Sequence, residues 1–170
     1  MRAAVEGGAD YVGFWDADLA TPLVEVRRFV DRLESSPDVR VVLGSRVKML
    51  GRTIDRRTGR HLIGRAFATV IATTLRMPVY DTQCGAKLFR VDVNLEEALA
   101  EPFGARWVFD VELLARLRDA YVRRGVDPLA AMREEPLHEW HDVDGSKVKT
   151  RDGVIALIDL YEIRKRYPWT

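Results

Sequence analysis

Three groups of residues in this chain have the types and spacing for phosphate chemistry. The first is Asp16-Ala17-Asp18, which closes the aromatic and β-branched run from Tyr11 to Trp15. Side chains two apart on extended backbone share a face, so both carboxylates can point one way from the carboxyl end of a strand. Such a pair suits Mg2+ or Mn2+, which takes one or two carboxylates and leaves its other positions to phosphate and water. The same pattern also serves simply to end a strand and cap the next segment. The second group is basic: between Gly44 and Arg65, seven residues (Arg46, Lys48, Arg52, Arg56, Arg57, Arg60 and Arg65) stand against Asp55 alone. A loop of that balance suits an anion, and arginine supplies bidentate contacts to phosphate. A solvated basic face has the same composition. The third group is Asp110, which precedes Leu113, Leu114 and Leu117 by three, four and seven residues. It therefore shares the apolar side of a helix, near the positive end of the macrodipole. There it can accept a proton or stabilise charge at a reacting centre, or act only as a capping carboxylate. Glu112 points elsewhere and reads as a solvated or ion-paired helix residue.

These groups need elements to position them. Tyr11 to Trp15 reads as a strand. Thr21 then caps a helix with Pro22 at its first position and Leu23, Val26, Phe29, Val30 and Leu33 as its apolar stripe. Val39 to Leu43 is a continuous apolar strand of the kind buried in a parallel sheet, ending at Gly44-Ser45-Arg46. Strand, helix, strand in that order predicts a right-handed βαβ unit. Leu62 to Leu75 is a helix with two readings, one packed against the sheet and one lying against a lipid or a partner. The polar turn from Asp81 to Gly85 leads into a strand from Ala86 to Phe89. A helix from about Val108 to Arg124 stops at Gly125, with Leu113, Leu114, Leu117, Ala120 and Tyr121 buried. Leu137 to His141 is extended. The last helix runs from about Asp152 to Tyr167, with Val154, Leu157, Ile158 and Tyr161 inward. The opening residues, MRAAVEGGADYVGFWD, read as the last turns of a helix, a Gly-Gly stop and a strand, so the chain is expected to start inside an α/β unit and to lack an N-terminal portion.

Composition narrows the class. The chain has 170 residues, 47% of them hydrophobic and 31% charged, with a net charge of +1. That is one ordinary globular domain with no electrostatic reason to coat nucleic acid. Cys84 is the single cysteine, which points to a reducing compartment. No apolar run approaches the roughly 20 residues of a membrane span, and Met1 to Gly8 lacks the apolar centre of a signal peptide. The expected location is cytoplasmic or peripheral to a membrane. His61, His138 and His141 have no zinc-ligand spacing with Cys84, and Trp140 and Trp169 read as packing or interface residues. No internal repeat or second-domain linker is visible.

The strings FWDADLATP, VVLGSR, RTGRHLIGRAFA, DTQCGAKLFR, RWVFDVELL and PLHEWHDVDGSKVK occur in that order over nearly the whole chain. Together they resemble the dolichyl-phosphate glucosyltransferase and dolichyl-phosphate mannose synthase branch of the family 2 glycosyltransferases. DTQCG, RWVFDVELL and the late GSK bring the chain nearer to the glucosyl side. The resemblance implies an α/β fold of GT-A type, a Rossmann-like mixed sheet flanked by helices. It implies an inverting, metal-dependent transfer of a hexose from a nucleotide sugar, UDP-glucose or GDP-mannose, to a polyprenyl phosphate. In that family an Asp-x-Asp motif binds metal and diphosphate, which falls on Asp16 and Asp18, with Asp18 the direct ligand. Arg46 and then Arg56, Arg57 and Arg60 fall where the family handles phosphate. Asp81, Gln83 and Lys87 fall in the acceptor-side block, Trp107 and Asp110 in the block that holds a catalytic aspartate, and Ser146 and Lys147 in another phosphate contact. A lipid phosphate is already ionised, so positioning and charge neutralisation outweigh base catalysis, and Asp81 rivals Asp110 for the catalytic role.

The family pattern also carries an N-terminal part that holds the nucleotide, and membrane anchors, neither of which is visible here. The Leu62 to Leu75 helix and the basic loop are then the parts expected to touch a bilayer. Two alternatives remain. An exposed sheet edge fits a chain that only associates, with itself or with a partner. A haloacid-dehalogenase-type phosphohydrolase would use Asp16 as nucleophile and Ser45 at the second strand, but Ala20 stands where Thr or Val is expected and no paired acidic motif occurs downstream.

Overall fold

The computed structural model describes residues 1–55, 58–142 and 150–168, and in the helices it leaves out the side chains of 58–63, 150 and 151. In chain order it contains α1 (Arg2–Glu6), β1 (Tyr11–Phe14), α2 (Glu25–Ser35), β2 (Val41–Ser45), β3 (Thr53–Asp55), α3 (Thr58–Leu75) and β4 (Lys87–Arg90). After these come α4 (Val93–Ala100), α5 (Phe109–Arg123), α6 (Pro128–Ala131), β5 (Met132–Pro136), β6 (Glu139–His141) and α7 (Thr150–Arg166).

The main sheet has the order β1-β4-β2-β5. β4 is antiparallel to both β1 and β2, whereas β5 runs parallel to β2. The sheet is thus mixed, as the resemblance implies, and the expected βαβ unit is modified. β1 and β2 do run in the same direction, but β4 is inserted between them, with Phe89 opposite both Val12 and Val41. A second sheet pairs β3 with β6 in parallel.

Strand alternation divides the core into two layers. Val12, Val41, Leu43 and Phe89 pack with α5, α3, α4 and α7, through residues such as Leu113, Leu117, Ile71, Leu95 and Leu160. Val42, Ala86 and Leu88 face the opposite way, onto Phe29 and Leu33 of α2 and onto Leu137 and Trp140. Two buried arginines of α5 stitch the helical layer. Arg118 donates to the carbonyl oxygens of Leu75 and Tyr167, at the ends of α3 and α7. Arg116 donates to the carbonyl oxygens of Ala98, Glu101 and Pro102. α4, which has no strong apolar period, is started by Asp92, whose side chain accepts from the amides of Asn94 and Leu95.

Three sequence expectations are corrected. α2 begins at Glu25 rather than after Thr21; Val24 is its N-cap without a side-chain bond, and Leu23 is exposed rather than in the stripe. Glu25 itself is buried, because it accepts from the His138 amide and pairs with Arg28. Glu112 is buried as well as ion-paired: its carboxylate takes the Ala105 amide, Arg116 and the Tyr167 hydroxyl. The largest correction is α7. Ala156, Leu160 and Ile163 face the core, while Val154, Leu157, Ile158 and Tyr161, expected inward, face solvent. Of the two readings for the second apolar helix, α3 packs Ala68, Ile71 and Leu75 inward.

Candidate active site at the strand ends

β1 and β2 finish at the same edge of the sheet, and antiparallel β4 begins there. Asp16 and Asp18 come just after β1, Arg46 comes after β2, the loop from Asp81 to Gly85 leads into β4, and Asp110 opens α5. The insertion of β4 is therefore what brings the three chemically suggestive groups to one edge.

Two of the carboxylates are buried and locked to cations. Asp81 is held by Arg46 in a fork: Nε donates to Oδ2 at 2.7 Å, Nη2 to Oδ1 at 2.7 Å, and the Arg46 amide to Oδ2 at 3.0 Å. Burial opposes the charge on Arg46, and the hydrogen bonds and charge of Asp81 outweigh it, so the guanidinium is held protonated more firmly than usual. The Trp140 ring lies 5.4 Å from that guanidinium. Asp110 is paired with Lys87, whose Nζ donates to Oδ2 at 2.9 Å and to the Cys84 carbonyl oxygen at 2.7 Å. Lys87 is 1% exposed. Its place on β4 puts it on the same side as Phe89, under the helical layer, where a lysine persists only with a partner. Its ammonium is engaged inside the protein, by Asp110 and the Cys84 carbonyl oxygen.

The other two carboxylates are exposed. Asp16 presses against Gly85, where a Cβ would fall 1.9 Å from the Asp16 Cγ, so only glycine leaves that carboxylate in place. Its pKa is raised, first by the desolvation of this packing and then by the charge of Asp18, with Asp110 adding to the effect and Arg46 and Lys87 opposing it. Asp18 accepts the Ala20 amide on Oδ1 at 3.0 Å, so the capping reading holds for that oxygen. The turn closes with Leu19 at φ 53°. As donors, Asp16 and Asp18 are hard carboxylate oxygens two residues apart, which fits Mg2+ or Mn2+. Among the described residues no cluster of three or more His, Cys, Asp or Glu completes a metal shell, so the rest of it would fall to phosphate oxygens and water.

Sequence reasoning missed two residues here and read a third, Arg65, only as part of the basic loop. Glu134 on β5 accepts the amides of both Tyr80 and Asp81 at 2.8 Å and so fixes the loop that carries Asp81. Burial raises its pKa, and those two amides oppose the shift. Arg65 donates to the Tyr80 carbonyl oxygen and stacks 3.6 Å from the Tyr80 ring centroid. Gly85 is the second missed residue. The repeated acid in MREEP was the one available signal for Glu134; nothing local marks Gly85. Cys84 is fully buried, and burial pushes its thiol up to about 11.

Gln83 is half-buried in the same loop. Trp107 lies two residues before α5, 45% exposed, with its amide on the Asp159 carboxylate of α7 at 3.3 Å. Arg56, Arg57, Ser146 and Lys147 lie outside the described residues; Arg60 is on α3, with its side chain outside them.

No protein-family model matches the chain. Among curated proteins, it is 31% identical over 166 residues to a dolichyl-phosphate beta-glucosyltransferase of Saccharomyces cerevisiae, covering 91% of this chain and 47% of that protein. A dolichyl-phosphate beta-glucosyltransferase of Trichomonas vaginalis is 28% identical over 170 residues, covering 95% of this chain and 48% of the relative. The glycosyltransferase AglD of Haloferax volcanii is 32% identical over 123 residues, 72% of this chain and 19% of that protein. The chain thus spans about half the length of the first two relatives. The chain is thus homologous, over nine-tenths of its length, to dolichyl-phosphate beta-glucosyltransferases, and its mixed sheet flanked by helices is the fold that the resemblance implies.

Proposed function

We propose that this chain carries out the transfer of a hexose, glucose, from a nucleotide sugar to a polyprenyl phosphate such as dolichyl phosphate. The observation that carries this reading is the meeting of exposed Asp16 and Asp18 with the Arg46–Asp81 and Lys87–Asp110 pairs at one sheet edge, in a chain whose relatives are named dolichyl-phosphate beta-glucosyltransferases. UDP-glucose is the proposed donor, and GDP-mannose is its competitor.

In the reaction a phosphate oxygen of the acceptor forms a bond to the anomeric carbon, and the bond from that carbon to the diphosphate breaks, with inversion. A divalent cation, Mg2+ or Mn2+, supplies charge neutralisation at the diphosphate when bound. Asp16 and Asp18 would hold it. Arg46 and Asp81 form a preorganised edge at which a phosphate can share the guanidinium. The acceptor oxygen is already ionised, so no carboxylate has to remove a proton. Asp110, neutralised by Lys87, orients groups at the site instead of acting as a base.

A second reading is that this chain binds or self-associates without turnover; β1 has no strand on its outer edge among the described residues. Calorimetry with UDP-glucose and GDP-mannose, with and without Mn2+, separates the two. The transfer reading expects metal-dependent binding of UDP-glucose that is lost in Asp18→Ala. A folded chain that binds neither nucleotide sugar but associates with increasing concentration supports the second reading.

A further inference from the structure

Between α3 and β4 the chain forms no helix or strand, yet this stretch carries Asp81. Its place is set by side chains that reach it from three directions. From β5, Glu134 spends both carboxylate oxygens on two successive amides: Oε2 accepts from Tyr80 and Oε1 from Asp81, each at 2.8 Å. From α3, Arg65 donates to the Tyr80 carbonyl oxygen at 2.7 Å and lies over the Tyr80 ring. From just beyond β2, Arg46 holds the Asp81 carboxylate in its fork.

These contacts close a ring. The parallel register sets Glu134 opposite Leu43 and Pro136 opposite Ser45, the residue before Arg46. One strand pair therefore fixes both the carboxylate that takes the Asp81 amide and the guanidinium that takes the Asp81 side chain, so Asp81 cannot shift without breaking one of the two. For stability alone, a carboxylate is a costly choice at this position. Burial disfavours its ionised form and the charge of Asp81 adds to that, while the two amides and Arg65 oppose the shift. What a carboxylate offers is two acceptors side by side. A glutamine of the same shape has one acceptor oxygen, and its NH2 group would face an amide N–H.

We propose that Glu134 is a positioning residue for the transfer: through the Tyr80 and Asp81 amides it sets the place of the Arg46–Asp81 fork, and with it the affinity of the site for the phosphate of the acceptor. The inference rests on the transferase reading for its purpose, and deepens it by tying the phosphate edge of the site to a residue of β5 that is not itself in contact with the guanidinium.

The test uses the full chain, farnesyl phosphate as a short polyprenyl-phosphate probe, and the Arg46 Nε–H resonance as the spectroscopic signature. In the parent that resonance should be single and protected from exchange with water, since the group donates to Asp81. Glu134→Gln should broaden or shift it and weaken farnesyl phosphate binding in calorimetry about tenfold, with Mn2+-dependent UDP-glucose binding unchanged. Glu135→Gln is the control for a merely structural role, because Glu135 is the next residue of β5 and pairs with Arg28 and Arg32 of α2 on the other face. That variant should lower the melting temperature at least as much, yet keep the parent's Arg46 resonance and farnesyl phosphate affinity. A Glu134→Gln chain with the parent's resonance and affinity overturns the proposal. So does a Glu135→Gln chain that loses both in step with its stability. If the parent binds no farnesyl phosphate the transferase reading fails, and the Arg46 resonance in the two variants still decides whether Glu134 positions the fork.

Discussion

The carboxylates at the strand ends fall into two sets with opposite physics. Asp81 and Asp110 are buried in the walls of the site, each closed against a fixed cation by contacts of 2.7 Å to 2.9 Å. Asp16 and Asp18 stand exposed at its mouth, where packing and then the charge of Asp18 raise the pKa of Asp16. A buried carboxylate persists only with a counter-ion, so the walls carry their own. An exposed pair needs none to fold, which leaves its charge available to a cation that arrives from solution. On the proposed function, the buried pairs set the geometry of the site and the exposed pair at its mouth takes the cation.

The largest effect should come from opening a wall. Lys87→Met leaves the Asp110 carboxylate buried without its partner and should cost about 3–5 kcal/mol in chemical denaturation. The double variant Lys87→Met, Asp110→Leu should recover most of that loss. A Lys87→Met chain as stable as the parent would erase the distinction between wall and mouth. Next is the fork on Asp81. Arg46→Lys keeps the charge but cannot make two parallel hydrogen bonds, and a loss of about 1–2 kcal/mol is expected. Gly85→Ala reverses the balance of effects. Because the new methyl meets the movable end of Asp16, stability should fall by about 1 kcal/mol or less. Mn2+ affinity in calorimetry should nevertheless fall about tenfold, since the carboxylate must leave its position.

The smallest effect, and the one that sharpens the comparison, is in pH. The folded-state pKa of Asp16 is raised, so the fold holds that proton more tightly than the unfolded chain does. Its stabilising contribution is complete below the unfolded value and is lost as pH rises through the folded value. Mn2+ works against this by favouring the ionised form. With Mn2+ held near its Kd, where this opposing shift is small, thermal stabilisation by Mn2+ should be present at neutral pH and should disappear on acidification at a pH above the ordinary aspartate range. Loss only within the ordinary range would mean that Asp16 is not a ligand.

Much of this site was readable from the sequence because it sits at ends of elements. Asp16 and Asp18 end an apolar run, Ser45 and Arg46 end another, and Asp110 precedes a leucine stripe, all within local spacing. What was not readable depends on pairings distant along the chain. The insertion of β4 between β1 and β2 is not written locally, since β4 looks in sequence like any other short strand. Lys87 looked available because nothing near it in sequence shows that Asp110, 23 residues on, closes over it. Glu134 reaches the Tyr80 and Asp81 amides from more than fifty residues away. α7 differs for another reason: both of its sides are apolar, so periodicity alone does not choose which of them faces the core. In the fold it is the smaller set, led by Ala156, that fits against α3 and α5.

The central claim, that the mouth binds a cation while the walls hold shape, is tested most directly by Mn2+ binding measured by electron paramagnetic resonance on the parent chain and on Asp18→Asn, with UDP-glucose present and the melting temperature of each recorded. The account predicts that Asp18→Asn loses the bound Mn2+ while melting within a few degrees of the parent. A variant that binds Mn2+ as the parent does would contradict it.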